Sequence, residues 1–237
     1  MKKFFTMAVA LLTFAGNAMA LEYEPEQGLT WQAFMGMNVT KITNLDYDGK
    51  VGGVFGVKLD YMLPKALGTY ITAGVDWSMK GAKTDATFES LVSNISYEGT
   101  DKYRLNYLEI PVRVGYRYNF SREVGVYGEF GPYFAMGIRG KHKFSADADG
   151  SDARESEWDY NAFKKSTKRE NFQRWDAGLG FRVGAEYNNH YSLTLGCDWG
   201  ITDMWRDKYR DAIFDQYNAD IDKIHNFNLT LAFGYRF

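Results

Sequence analysis

The sequence predicts an all-β chain: an eight-stranded antiparallel up-and-down barrel that crosses a membrane with its strands. Three observations carry that prediction. Eight segments alternate polar and apolar residues, their connections alternate between short and long, and the last segment is apolar at every second position up to Phe237. Successive side chains of a strand point to opposite faces, so such alternation means one polar and one apolar face.

The stretch RWDAGLGFRVGAEY (174–187) shows the pattern best. Arg174, Asp176, Arg182 and Glu186 share one face with Gly178, Gly180 and Gly184, while Trp175, Leu179, Phe181, Val183 and Tyr187 share the other. A soluble barrel would bury the apolar face. A membrane barrel would turn the Arg/Asp/Gly face inward.

Residues 1–20 read as a removable secretory signal peptide, leaving 21–237 as one barrel domain. Lys2 and Lys3 precede an apolar run from Phe4 to Ala15, and Ala18–Met19–Ala20 fits a small-x-small cleavage site. No cysteine stands near that site, and the single one, Cys197, can form no intramolecular disulfide. A net charge of −2 gives no reason to expect nucleic acid as a partner. Mean hydropathy is −0.41, and beyond the leader no apolar run approaches the roughly 18 residues of a membrane helix. Aromatics at 17%, 24 glycines and only 4 prolines suit long strands that are half apolar.

In chain order the segments run 29–40, 51–63, 69–80, 103–118, 124–139, 173–187, 191–202 and 226–237. Each reaches the 9–11 residues or so that a tilted strand needs to cross a bilayer. The connections PKALG (64–68), NFSRE (119–123) and NNH (188–190) are short turns with Pro, Gly, Asn or Ser. Those at 41–50, 81–102, 140–172 and 203–225 are long and mostly polar. Short turns on one rim, expected to be periplasmic together with both termini, and long loops on the other are the mark of an outer-membrane barrel.

The apolar faces carry two aromatic belts around an aliphatic waist. Trp31, Tyr61, Tyr116, Tyr187 and Tyr235 fall near the short-turn rim, and Trp77, Trp175 and Trp199 near the long-loop rim. Amphipathic rings favour such interfacial positions. The polar faces carry Lys58, Asp60, Asp76, Glu109, Arg113, Arg117, Glu129, Arg139, Arg174, Asp176, Arg182, Glu186, Asp198 and Arg236, seven bases and seven acids. Charges in a narrow, desolvated lumen must pair. The expected network is Glu109, Arg113, Arg117, Glu129, Asp176, Arg182, Glu186 and Arg236. The ending FNLTLAFGYRF, with Phe237 last, matches the signal by which barrel-assembly machinery recognises its clients.

YLEIPVRVGYRY (107–118) resembles the "LEIP" strand of the PorT-like outer-membrane β-barrel family of Bacteroidota. GVYGEFGPYFAMGIRG (125–140) resembles that family's next strand, with its Gly-x-x-Pro-Tyr segment. The resemblance implies the same barrel fold. Because some members belong to a secretion apparatus, it also allows an envelope protein as partner.

Candidate chemistry is sparse. His190 and Ser192 have a spacing known in lipid A deacylase barrels, but one falls in a periplasmic turn and the other on the lumen face. His142 and His225 lack a Ser/Asp partner, and three scattered histidines make no metal site. DADGSD (147–152) has acidic spacing that hints at calcium, yet an EF-hand's distal glutamate is missing. Lys164, Lys165, Lys168 and Arg169 are placed to face lipopolysaccharide phosphates. Trp205, Tyr209, Ile213 and Tyr217 recur every four residues, the spacing of a short amphipathic helix. No catalytic residue, cofactor or metal is expected. The sequence therefore predicts a non-enzymatic barrel with an occluded polar lumen, embedded in outer-membrane lipid and lipopolysaccharide and acting as a structural or surface-binding scaffold. An accessory of protein secretion or envelope assembly is the alternative, with a lipid-modifying enzyme third.

Overall fold

Eight long strands form the wall, and each hydrogen-bonds antiparallel to its neighbour in sequence. The computed structural model describes residues 28–43, 48–89, 96–148, 156–163, 172–205 and 222–237. The expected signal peptide (1–20), the Lys164–Arg169 cations, most of DADGSD and nearly all of the expected 205–217 helix lie outside the described residues.

The wall strands are β1 (Leu29–Ile42), β2 (Asp48–Met62), β3 (Thr69–Glu89), β4 (Ser96–Asn119), β5 (Val124–Ala148), β7 (Trp175–Tyr187), β8 (Tyr191–Gly200) and β9 (Asn226–Arg236). A short strand, β6 (Ser156–Tyr160), adds to the outer part of β5. The ring closes where β1 meets β9, with Gln32 opposite Arg236 and Ile42 opposite Asn226. Closure leaves the wall without an unpaired edge, which backbone groups in lipid require.

The short turns are built as their residues suggest. Asn188 and Asn189 have φ of 53° and 56°, and His190 N donates to Tyr187 O. Asparagine tolerates that left-handed conformation, which matches the twist of a tight hairpin. Ser121 Oγ accepts from the amides of Glu123 and Val124, closing the β4–β5 turn.

Two expectations about the wall need correction. Much of the stretch 81–102, and residues 140–148 and 156–160 of the stretch 140–172, are strand rather than loop. β3 and β4 stay paired out to Glu89–Ser96, and β4 and β5 out to Tyr97–Ala148. β3, β4 and β5 are 21, 24 and 25 residues long, against the 10 or so of one crossing. Lipid on one face forces alternation, and a hairpin standing clear of the bilayer no longer shows it.

The second correction is local. Arg139 and Arg174 are exposed rather than in the lumen. A bulge sets Asn106 opposite Arg139 but Tyr107 opposite Gly137, so one residue, Ile138, is extra and the in/out parity of β5 reverses. Arg174 precedes the first residue of β7.

Outside, the wall presents a continuous apolar band that includes Phe55, Val57, Leu59, Ile110, Val112, Val114, Leu193, Leu195, Leu229, Leu231 and Phe233. Trp31, Tyr61, Trp175, Tyr187 and Trp199 are exposed on it, and Trp31 stacks on Phe237 at 3.9 Å. Trp77, Leu108, Met136 and Trp175 are register partners in one line across β3, β4, β5 and β7. Tyr116 and Tyr235 occupy outward positions at the opposite rim, where Tyr235 meets Tyr191 edge to face.

Candidate functional site

The lumen holds a ladder of charge. Nearest the short-turn rim, Arg236 and Arg117 both pair with Glu186: Arg236 Nη1 lies 3.0 Å from Oε2 and Arg117 Nε 2.9 Å from Oε2. Both also reach Asp60, Arg117 donating to Oδ2 at 3.2 Å. One step further in, Lys58 Nζ lies 2.5 Å from Glu129 Oε1, which also accepts from the Tyr70 hydroxyl at 2.9 Å. Arg117 stacks on the Tyr70 ring, 4.7 Å from its centroid.

At mid-height Arg182 grips Asp198 with two bonds, 2.7 and 2.8 Å, the fork geometry that gives guanidinium–carboxylate pairs their strength. Arg113 stands between Glu129 (4.0 Å) and Asp198 (3.9 Å). Above them Lys80 Nζ lies 2.7 Å from Glu109 and 3.5 Å from Asp176. Asp176 is further held by Thr202 Oγ1 at 2.7 Å and Asn226 Nδ2 at 2.8 Å.

All eight expected network residues lie buried in this ladder, joined through Lys58, Asp60, Lys80 and Asp198. Lys80 was missing from the expected set. It shares the inward parity of Asp76 and Ser78 but stands at the last position of its predicted strand, where an end reads as solvent. With Arg139 and Arg174 outside and Lys80 inside, six cations face seven acids among the described lumen residues. Asp76 is the acid without an ion pair within that set. Its Oδ1 accepts no hydrogen bond, and its register partner on β4 is Glu109.

A cavity of about 40 Å³ lies at mid-lumen, lined by Asp76, Lys58, Arg113, Glu129, Arg182 and Asp198 among others. That holds about three waters at roughly 10–15 Å³ each, and Gln32 Oε1, Asp76 Oδ1 and Arg113 Nε around it lack protein partners. The lumen glycines make this density possible: a Cβ on Gly196 would meet the Arg182 side chain at about 2.5 Å, closer than real contacts allow.

Over the outer mouth the chemistry changes. Ile42, Ala82, Tyr103, Leu105, Tyr107, Tyr133, Ala135, Ala162, Phe163, Phe172, Met204, Trp205 and Ile224 form one buried cluster. Phe163 lies against Gly137 and Gly140 where any side chain would collide with its ring, and meets Tyr107 edge-on at 5.8 Å. Phe172 sits between Tyr103 (5.1 Å) and Trp205 (5.5 Å), and His142 stacks on Tyr103 at 4.1 Å. The signal for this cap was present. Tyr103, Leu105 and Tyr107 share the parity of Glu109, which places them inward.

The remaining candidates are apart. His190 is exposed in its turn, with Nδ1 2.6 Å from Asn188 O, while Ser192 is buried in the lumen and accepts from Gln32 Nε2. The two side chains are on opposite sides of the wall. His225 Nδ1 lies 2.9 Å from Thr202 O. Among the described residues no group of three or more His, Cys, Asp or Glu side chains is placed to hold a metal ion.

Among solved structures the chain resembles Ail, the attachment invasion locus protein of Yersinia pestis, at 16% identity over 90% of this chain and 100% of that one, with a TM-score of 0.37. Neisserial surface protein A matches at 12% identity over 89% and 98%, TM-score 0.39, and OprG of Pseudomonas aeruginosa at 13% over 90% and 98%, TM-score 0.39. No curated protein matches the chain. Residues 14–206 match the family described as outer membrane protein beta-barrel domain. The chain belongs to that family, and is an integral β-barrel of a Gram-negative outer membrane.

Proposed function

We propose that the barrel is a non-enzymatic scaffold with a closed lumen, which anchors the β3–β4–β5 extension and the capped loops on the cell surface. The observation that supports this reading is the crowding of the interior: an ion-pair ladder runs through the lumen, an apolar cluster lies over its outer mouth, and the cavity between the mid-lumen charges has about 40 Å³. Pairing of that kind favours a fixed wall over a path for solutes. Asp48 and Asp222 are exposed beyond the apolar band on the cap side, and Lys65 and Asn188 are exposed on the short-turn side. In a Cys197→Ser background, Asp48→Cys and Asp222→Cys should label on intact cells with an impermeant maleimide. Lys65→Cys and Asn188→Cys should not, and the reverse pattern would overturn the reading.

The likeness of 107–118 and 125–140 to the PorT-like strands favours a second reading, an accessory of protein secretion or envelope assembly. Co-purification at fixed stoichiometry with one envelope protein would select it over a free-standing scaffold.

A further inference from the structure

The cavity at mid-lumen has a basic side and an acidic side. Lys58 leaves β2 for Glu129 on β5, and Arg182 of β7 is held by Asp198 on β8. Arg113 reaches from β4 across to β7, where its Nε would lie 3.3 Å from a Cβ on Gly180. The three cations that line the cavity are thereby drawn toward β5, β7 and β8. On the other side β3 presents Asp76 and Ser78.

Asp76 Oδ1 is buried and accepts no hydrogen bond, and it stands over Gly56 of β2, where a Cβ would come within 2.6 Å of it. Its register partner Glu109 is held by Lys80 at 2.7 Å and brings a second negative charge rather than a counter-ion. Gln32 Oε1, on the same cavity, also lacks a donor. Ser78 Oγ accepts from Asn38 Nδ2 at 3.2 Å, and Asn38 Oδ1 is a further buried oxygen without a donor. With seven acids against six cations among the described lumen residues, the Asp76 carboxylate is the charge that the ladder does not balance. A buried carboxylate without a counter-ion is strongly disfavoured. Waters in the cavity donate to its oxygens but bring no charge.

We propose that the mid-lumen cavity binds one K+ ion on Asp76 Oδ1, with Gln32 Oε1 and Ser78 Oγ reached directly or through the cavity waters. A single positive charge matches the single surplus acid. A divalent ion would overshoot it, and calls for several carboxylates or a retained water shell for which about 40 Å³ has no room. K+ gives up its water more readily than Na+, which suits a shell of one carboxylate and neutral oxygens. The ion completes the charge balance of the wall, a role separate from anything the outer loops bind.

The test follows unfolding of the detergent-folded barrel as K+ replaces choline at constant ionic strength. The unfolding constant should fall roughly tenfold once K+ stands at about ten times its dissociation constant. Asp76→Asn, which keeps the shape and removes the charge, should make the two salts equal. Lys65→Gln, at an exposed position on the short-turn side, should respond as wild type. In crystals soaked with Tl+, a heavy surrogate for K+, an anomalous peak should stand beside Asp76 in the wild type and be missing from Asp76→Asn. If that variant does not fold, the wild-type salt dependence and the wild-type peak decide. Equal stability of the wild type in both salts, or no Tl+ peak beside Asp76, overturns the site. A carboxylic-acid infrared band that Asp76→Asn removes, with no difference between the salts, overturns it too and shows that a proton meets the charge. Single-channel current is a separate readout: a steady conductance contradicts the closed lumen, while the salt comparison still decides the ion.

Discussion

The lumen and the cap are both buried, yet one is packed with ion pairs and the other with aromatic rings. Mid-lumen holds Arg182, Asp198, Arg113 and Glu129, while the cap, one strand extension further out, holds Tyr103, Phe163, Phe172 and Trp205. The difference follows from what lies outside each wall. The cap stands in water, so removing rings from water drives its closure. Around the lumen the outside is hydrocarbon, and burying an apolar residue inside gains nothing over leaving it in lipid. A charged inner face then tells the strand which way to turn, because only one register keeps every charge out of lipid.

The largest expected effect comes from breaking the lumen's best pair. Arg182→Ala leaves Asp198 buried beside Arg113 and Asn228, and unfolding in phospholipid vesicles should register a loss of about 3–5 kcal/mol. Arg182→Met combined with Asp198→Leu should recover most of it. If the single variant is neutral, the ladder does not hold the barrel together.

Leu195→Arg, on the lipid face at mid-strand, should cost about 2–4 kcal/mol in the same assay. A neutral result there would mean that the apolar face does not meet lipid.

Phe163→Ala should act on the cap alone. Its ring lies against Gly137 and Gly140, and removing it should speed exchange of the amides of Ala162 and Phe172 about a hundredfold, the low end for losing a buried ring. Global unfolding of the wall should stay where it is. A parallel drop in both would make lumen and cap one cooperative unit.

The smallest effect is electrostatic. Lys50 is half-buried among cations and titrates near 8 in the fold but near 10.5 when unfolded. Between those values the unfolded chain binds more protons, so stability should rise with pH from about 8 to 10.5. Lys50→Met should flatten that slope, as read from denaturant midpoints across the range.

How much of this was legible depended on what each face touched. Where β7 meets lipid, the alternation from Trp175 to Tyr187 gave the strand, its inward charges and its outward rings directly. The β3–β4–β5 extension looks like loop in the sequence because, clear of lipid, neither face is forced to one polarity. Arg139 was misplaced because a bulge leaves no mark in polar periodicity. Lys80 and the Tyr103–Leu105–Tyr107 row had the right parity, but the first stood at a strand end and the second was apolar on a face expected to be charged.

The closed lumen is the claim on which the scaffold reading stands, and single-channel recording in planar bilayers tests it most directly. Purified wild-type barrel should show no steady conductance, since among the described residues six cations and seven acids pair across the lumen beneath the apolar cap. Glu109→Ala/Glu129→Ala/Glu186→Ala should open small, anion-preferring, flickering currents as arginines lose their partners. A large, steady conductance from the wild type would contradict the account and make transport the leading function.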